Sequence, residues 1–335
     1  MIIRTRSYPR AALIGNPSDG YFGKTIAFVF SNFTAEVILY ESPEIEIIPS
    51  DYDSDSFNSL KGLVDNVNLF GYYGGIRLIK ATIKKFYDYC SANQTVLTEK
   101  NFTIRHKSNI PFRLGLAGSS AIITACMRSL MKYYDVDIPL PVLANIILSV
   151  EVDELKISAG LQDRVAQAYE APVYMDFDAE IMKRQGYGVY ETISKDAFPP
   201  MYIAYRRDLS EGSEVVHNNF KERYNYKEPE VLDAIKQWAD LTVQAKECLL
   251  SGNIESLPEL INRNFDIRKS VMNISKMNLE MVSAARSAGA SAKFTGSGGA
   301  IIGTYKDEKM FARLRKSLFE LGVEVFKPDI VCNNC

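Results

Sequence analysis

Along the N-terminal half of the chain, apolar residues first recur at every second position and later at every third or fourth. Ile2 to Tyr8, Ala11 to Ile14, Ile26 to Leu39 and Glu44 to Ile48 read as strands. Ser56 to Asn66 and Gly74 to Tyr89 switch to a helical period, and the second carries Ile76, Ile79, Ile83 and Phe86 on one face. After a short strand, Phe102 to His106, the spacing predicts a long helix from Ser119 to Tyr134. Its apolar stripe is Ile122, Ile123, Cys126, Met127, Leu130 and Met131. Pro141, a residue suited to a first helical turn, opens a further helix that runs to about Leu155.

Val173 to Phe177 and Tyr202 to Tyr205 read as strands on either side of a turn-rich segment, Asp196 to Pro200. That segment is the expected domain boundary, giving parts 1–197 and 198–335. Beyond it the pattern predicts helices Glu228 to Ser251, Ile254 to Met272 and Leu279 to Ala288. A strand–glycine turn–strand (Ala292 to Thr304), a helix (Glu308 to Leu321) and a last strand (Glu324 to Phe326) follow. Helices and strands mix throughout, so the expected class is α+β, or mixed α/β.

A length of 335 residues favours two domains over one core. A net charge of −2, with Lys and Arg spread evenly, gives no footprint for nucleic acid. No apolar run is long enough to span a membrane, and the first residues lack the apolar core of a signal peptide. The expectation is a cytoplasmic protein without a nucleic-acid, membrane or protein partner. Cys332 and Cys335 form a C-x-x-C, but no second pair or nearby His completes a metal framework.

The most informative stretch is PFRLGLAGSSAIITA, Pro111 to Ala125. Glycines and serines immediately before an amphipathic helix let successive amides and the helix dipole converge on one anion, and so suit phosphate. The same residues would also serve as an ordinary helix cap. The loop lacks the lysine of a P-loop, and no protein-kinase element occurs in the chain. Glu151 falls on the apolar face of its helix with Ala144, Ile147 and Leu148, where a carboxylate needs a cation or donors. Magnesium suits that position, as does a solvated helix end. Asp163 sits in a first helical turn, a position that the dipole favours for any acid.

Together these stretches resemble the GHMP kinase family. Pro111, Gly115, Leu116, Gly118, Ser119, Ser120 and Ala121 match its central ATP-binding motif, P-x-x-x-G-L-x-G-S-S-A. PRAALIGNPSDGYFGKT (Pro9 to Thr25) is similar to the N-terminal motif, and AKFTGSGGAIIG (Ala292 to Gly303) to the C-terminal glycine loop, with Gly296, Ser297 and Gly298 toward the nucleotide. The resemblance implies a two-domain fold with the active site in the interdomain cleft. It implies ATP and magnesium as cofactors, Ser120 and Glu151 as metal ligands, Asp163 as catalytic base and Arg10 beside it. In galactokinase-like members the metal glutamate precedes the catalytic aspartate by about twelve positions, as Glu151 precedes Asp163 here.

The wording RAALIGNPSDGYFGKTIA, GYYGGIRL, AGLQDRVAQAY, NFDIR and KFTGSGGA resembles the plant glucuronokinase group along essentially the whole chain. That implies phosphorylation of D-glucuronate at the anomeric hydroxyl, toward UDP-glucuronate. Asn16 and Pro17 stand where galactokinases have an acidic residue and a histidine, which counts against galactose. Asn16 and Asp19 are expected at the sugar hydroxyls, Lys24 or Arg164 at the sugar carboxylate, and Tyr72 against the ring. The rival expectations are a kinase of galacturonate, galactose, arabinose or many sugars, and a non-catalytic sensor on the same fold.

Overall fold

The structure is a computed structural model and describes residues 1–49, 74–206 and 220–333. The expected Ser56 to Asn66 helix and Tyr72 lie outside those residues. Among the described residues the strands run in chain order as β1 Ile2–Ser7, β2 Arg10–Ile14, β3 Lys24–Val29, β4 Ala35–Glu41, β5 Glu46–Ile48 and β6 Phe102–Ser108. The second half adds β7 Val173–Asp176, β8 Val189–Thr192, β9 Met201–Tyr205, β10 Lys293–Phe294, β11 Ala300–Thr304 and β12 Glu324–Phe326.

The chain forms two compact units that are interleaved in sequence. The first comprises Met1–Tyr8, Phe33–Ile110 and Gly118–Ala159; the second comprises Pro9–Asn32, Pro111–Ala117 and Gly160–Cys335. This is a different division from a single cut at 197/198.

In the first unit β1, β4, β6 and β5 form one sheet in that order, with only the β5–β6 pair parallel. β1 alternates exposed and buried residues, as a strand with one covered face should. The helix Gly118–Tyr134 packs on β1 and β4, burying Ile123, Cys126, Met127 and Leu130. Thr5 Oγ1 donates to Ala125 O at 2.6 Å, so a polar residue of the sheet is satisfied by that helix. The helix predicted from Pro141 to Leu155 is α-helical only over Leu140–Ser149 and then widens into a π-helical turn, Val150–Glu154. Such turns shift side-chain register within a helix and recur at functional positions.

The second unit holds two antiparallel sheets, ordered β2-β3-β7-β8 and β10-β11-β9-β12. β2 is buried along its whole length, which is why RAALI reads as a continuous run rather than an alternating one. Helices Pro229–Ser251 and Leu257–Val271 pack together and against β3 and β2. The β10–β12 sheet meets helices Lys276–Ser287 and Glu308–Phe319 in a core of Tyr202, Phe265, Met281, Phe294, Leu314 and Leu318. Asp307 caps the last helix by accepting from Met310 N at 2.8 Å. One expectation is corrected here. The apolar run Ile26 to Leu39 is not a single strand, because the chain leaves β3, turns at Ser31–Thr34 and enters the other unit as β4. Both strands are apolar, so composition alone does not reveal the break.

Candidate active site

In the second unit several of the candidate side chains lie near the ends of β2 and β10. Arg10 opens β2 and is buried. Its Nε donates to Asp163 Oδ1 at 2.7 Å, and its Nη2 lies 2.5 Å from the same oxygen. Nη1 donates to the carbonyl oxygens of Gly115 (3.4 Å) and Thr295. Asp163 stands in the first turn of the helix Gln162–Tyr169, and its Oδ2 accepts from Arg164 Nη1 at 3.0 Å. Two guanidinium groups therefore grip one carboxylate from opposite oxygens. Such paired, charge-assisted bonds set orientation as well as charge.

Two glycine loops flank β2 and are tied to it by backbone bonds, Arg10 N to Leu116 O and Ala12 N to Thr295 O, both 3.0 Å. They also approach each other backbone to backbone. A Cβ on Gly296 would overlap Gly115 O, and one on Gly115, whose φ is +65°, would come within 3.0 Å of Ser297 N. Only glycine permits that contact. Arg268, from the helix Leu257–Val271, fixes the second loop: Nη1 donates to Gly296 O at 2.7 Å and Nη2 to Ser297 O at 2.8 Å. Asn278 Oδ1 accepts from Gly299 N at 3.1 Å on the loop's other side.

The turn after β2 carries the expected sugar residues. Asn16 Nδ2 donates to Gly296 O (3.3 Å) and Phe294 O (3.4 Å). Asn264 holds this turn from below, accepting from Gly15 N at 2.6 Å and donating to Asn16 O at 3.2 Å. Asp19 Oδ1 accepts from Gln162 Nε2 at 3.0 Å. Asp19 is partly exposed as a residue, yet its carboxyl is tightly enclosed, since a Cβ on Gly160 would overlap Oδ2. Burial, and then the neighbouring charge of Asp163, raise its pKa to about 7. Burial also pulls Lys293 well below the usual amine range, helped by Arg268 and Arg10.

In the first unit the exposed Ser119, in the opening turn of the helix Gly118–Tyr134, donates from Oγ to Glu151 Oε1 at 2.7 Å. Glu151 is only 1% exposed and lies in the π-helical turn, so its carboxylate faces inward as the spacing predicted. Ser120, the serine expected at the metal, follows Ser119 in the same helical turn and is buried. A buried carboxylate bearing a hydroxyl is an all-oxygen donor set, and it fits a hard cation such as magnesium.

Other expected residues are engaged differently. Leu116 and Ala121 have buried side chains, and Pro111 is half-buried. Arg164 is buried on Asp163 and on Gly160 O (2.7 Å), and Lys24 is paired with Asp176. Both proposed readers of a sugar carboxylate thus already hold a carboxylate of the protein. Cys332 is disulfide-bonded, and Cys335 lies outside the described residues. Asn264, Arg268, Asn278 and Gln162 were not anticipated as site residues. The NFDIR segment held a signal for two of them: Asn264 and Arg268 are four apart, hence on one helix face, and both are polar in an otherwise apolar stripe.

Comparison with known proteins agrees with this geometry. The family model described as GHMP kinases N terminal domain matches residues 77–171, and that described as GHMP kinases C terminal matches residues 245–323. The chain is 41% identical over 308 residues to "Probable glucuronokinase 2" of Arabidopsis thaliana and 40% identical over 306 residues to its "Glucuronokinase 1". Each match covers 90% of this chain and 84% of the relative. In fold, it superposes on the phosphomevalonate kinase of Streptococcus pneumoniae with a TM-score of 0.75 at 15% identity, covering 98% of this chain and 99% of that one. Two matched segments, relatives alike along nine-tenths of the chain and a shared fold over its whole length lead to one assignment: the chain belongs to the GHMP kinase family.

Proposed function

We propose that this chain is an ATP-dependent sugar 1-kinase that phosphorylates D-glucuronate at its anomeric hydroxyl, yielding glucuronic acid 1-phosphate for UDP-glucuronate synthesis. The Arabidopsis relatives named as glucuronokinases support the substrate. The observation that carries the chemistry is Asp163, gripped by Arg10 and Arg164 beside two glycine loops of the same unit.

Asp163 accepts the proton of the anomeric hydroxyl as its oxygen attacks the γ-phosphorus; the bond to the β,γ-bridging oxygen breaks and ADP leaves. Arg10 and Arg164 keep the carboxylate aimed and offset the charge that develops. The Gly115–Ser120 and Gly296–Gly298 segments supply backbone amides for the triphosphate. Glu151 and the serine pair Ser119–Ser120 would hold magnesium, which neutralises phosphate charge when bound. Asn16 and Asp19 take the sugar hydroxyls. In sequence, residues 1–197 carry the ATP loop, metal ligand and base, and 198–335 carry the third glycine motif. We place the protein in the cytoplasm, with ATP and a sugar acid as its partners. Among the described residues no helix is long and apolar enough to cross a membrane.

The test is a panel of uronates and aldoses with ATP and magnesium, followed by coupled ADP release, with phosphorus NMR on the product. Glucuronate should rank first, with phosphorus coupled to the anomeric proton. No ADP release with glucuronate, or phosphate on another hydroxyl, would overturn the assignment.

A further inference from the structure

A buried cation needs an anion or a full set of acceptors to offset its lost hydration. In the second unit several cations have an anion within salt-bridge distance. Arg10 and Arg164 share Asp163, Lys24 has Asp176, and Arg286 has Asp266. Two are different. Lys293 Nζ donates to Ala12 O at 2.7 Å, and Arg268 donates to the carbonyls of Gly296 and Ser297; neither has a carboxylate within salt-bridge distance among the described residues. Lys293 relieves the strain on its charge by a lowered proton affinity, as described above. Arg268 cannot, because burial lowers its pKa only to about 10, with Asp19 opposing the fall. Arg268 therefore remains charged at neutral pH while 2% exposed, and its Nε has no hydrogen-bond partner.

Two other unpartnered atoms belong to residues of, or bonded to, the turn after β2. Asn16 Oδ1 and Gln162 Oε1 are buried without a donor, in residues 1% and 6% exposed. The far end of each amide is anchored. Asn16 gives its NH₂ to Gly296 O, the carbonyl that Arg268 also bonds, and Gln162 gives its NH₂ to Asp19 Oδ1. Because a carbonyl oxygen can only accept, the two carbonyls that anchor Asn16 fix which end of its amide is left open. Two acceptors and one charged donor thus stand unsatisfied around the substrate turn. A polyol bearing one carboxylate has the complementary groups.

We propose that Arg268 is the residue that reads the carboxylate of the sugar acid, while Asn16 Oδ1 and Gln162 Oε1 accept from its hydroxyls. This rests on the reading of the substrate as a uronate. Arg268 also clamps the glycine loop, so its replacement lowers activity on every sugar. The diagnostic quantity is therefore the ratio of kcat/KM for glucuronate to that for glucuronamide, in which a neutral amide replaces the carboxylate.

In the wild-type chain that ratio should be about 10 to 100, the range of one charge-assisted hydrogen bond. In Arg268→Gln it should fall to about 1, with ADP binding followed separately by ligand-dependent thermal stabilisation. Arg268→Lys keeps the charge without the fork and should show an intermediate ratio; it also serves as the test if the Gln variant does not fold. A ratio unchanged in either variant, with both sugars losing equally, would reduce Arg268 to a loop clamp and overturn the inference. A wild-type enzyme that phosphorylates glucuronate and glucuronamide equally well would overturn it too, leaving the kinase reading intact. A wild-type enzyme inactive on glucuronate but active on neutral sugars would instead defeat the uronate reading, and this inference with it.

Discussion

Replacing Gly160 by Ala isolates the contribution of Asp19 without touching a residue assigned to phosphate or metal. The backbone at Gly160 lies outside the left-handed region, so Ala is sterically allowed there as a conformation. The added methyl, however, would occupy the place of Asp19 Oδ2, and the carboxyl must move. Moving it breaks the 3.0 Å bond from Gln162 and withdraws the acceptor proposed for the sugar hydroxyls. At pH 8 Asp19 is ionised, and one hydrogen bond to a charged group contributes about 1.5–3 kcal/mol. Its loss corresponds to roughly a 10- to 100-fold fall in kcat/KM for the sugar, whereas the KM for ATP should stay within about threefold. Overpacking costs about 1–3 kcal/mol, partly offset by about 0.4–1 kcal/mol from a stiffer unfolded chain, so the variant should still fold. The assay is coupled ADP release with each substrate varied at saturation of the other, alongside a thermal melt. A folded variant whose kcat/KM for the sugar stays within about twofold of wild type would refute the assignment of Asp19 to the sugar.

Asp163→Asn should lower kcat by about 10²–10⁴-fold while ADP still stabilises the protein in a thermal melt; substantial residual turnover would remove it as the base. Glu151→Gln should raise the magnesium concentration for half-maximal activity at least about tenfold without changing the sugar KM, and an identical magnesium titration would contradict its role. Asp19→Asn tests the electrostatics. Because the folded-state pKa is raised from 3.8 to about 7, the native state holds a proton that the unfolded chain has released, so wild-type stability falls as pH rises through that window and levels off above it. Relative to wild type, the Asn variant should therefore gain on the order of 1–2 kcal/mol between pH 4 and 7 in urea unfolding. A pH-independent difference would mean that the carboxyl is not desolvated.

Much of the fold was legible locally. Strand and helix periods located β1, β2, the helix from Gly118 and the strand pair around the third glycine loop, each within a few residues. Where two apolar strands abut, as at Ile26 to Leu39, the period could not show the turn between them. The widening at Val150–Glu154 was likewise invisible, since it changes hydrogen bonding and not composition. At the site, the order and spacing of motifs pointed to Asp163, Arg10 and Glu151. They could not tell that Ser119 would meet Glu151, nor that Arg164 would turn back onto its own neighbour Asp163.

The amino-acid sequence by itself determined the family, the α+β class and the glycine-bearing loops, because periodicity and the backbone freedom of glycine act over a few residues. The tertiary structure alone decided which charges are paired. Arg10 and Asp163 are 153 residues apart, and Arg268 reaches a loop 28 residues further along. What a charge requires depends on how much water the surrounding chain excludes and which acceptors arrive with it, and those neighbours are chosen by the packing of distant segments.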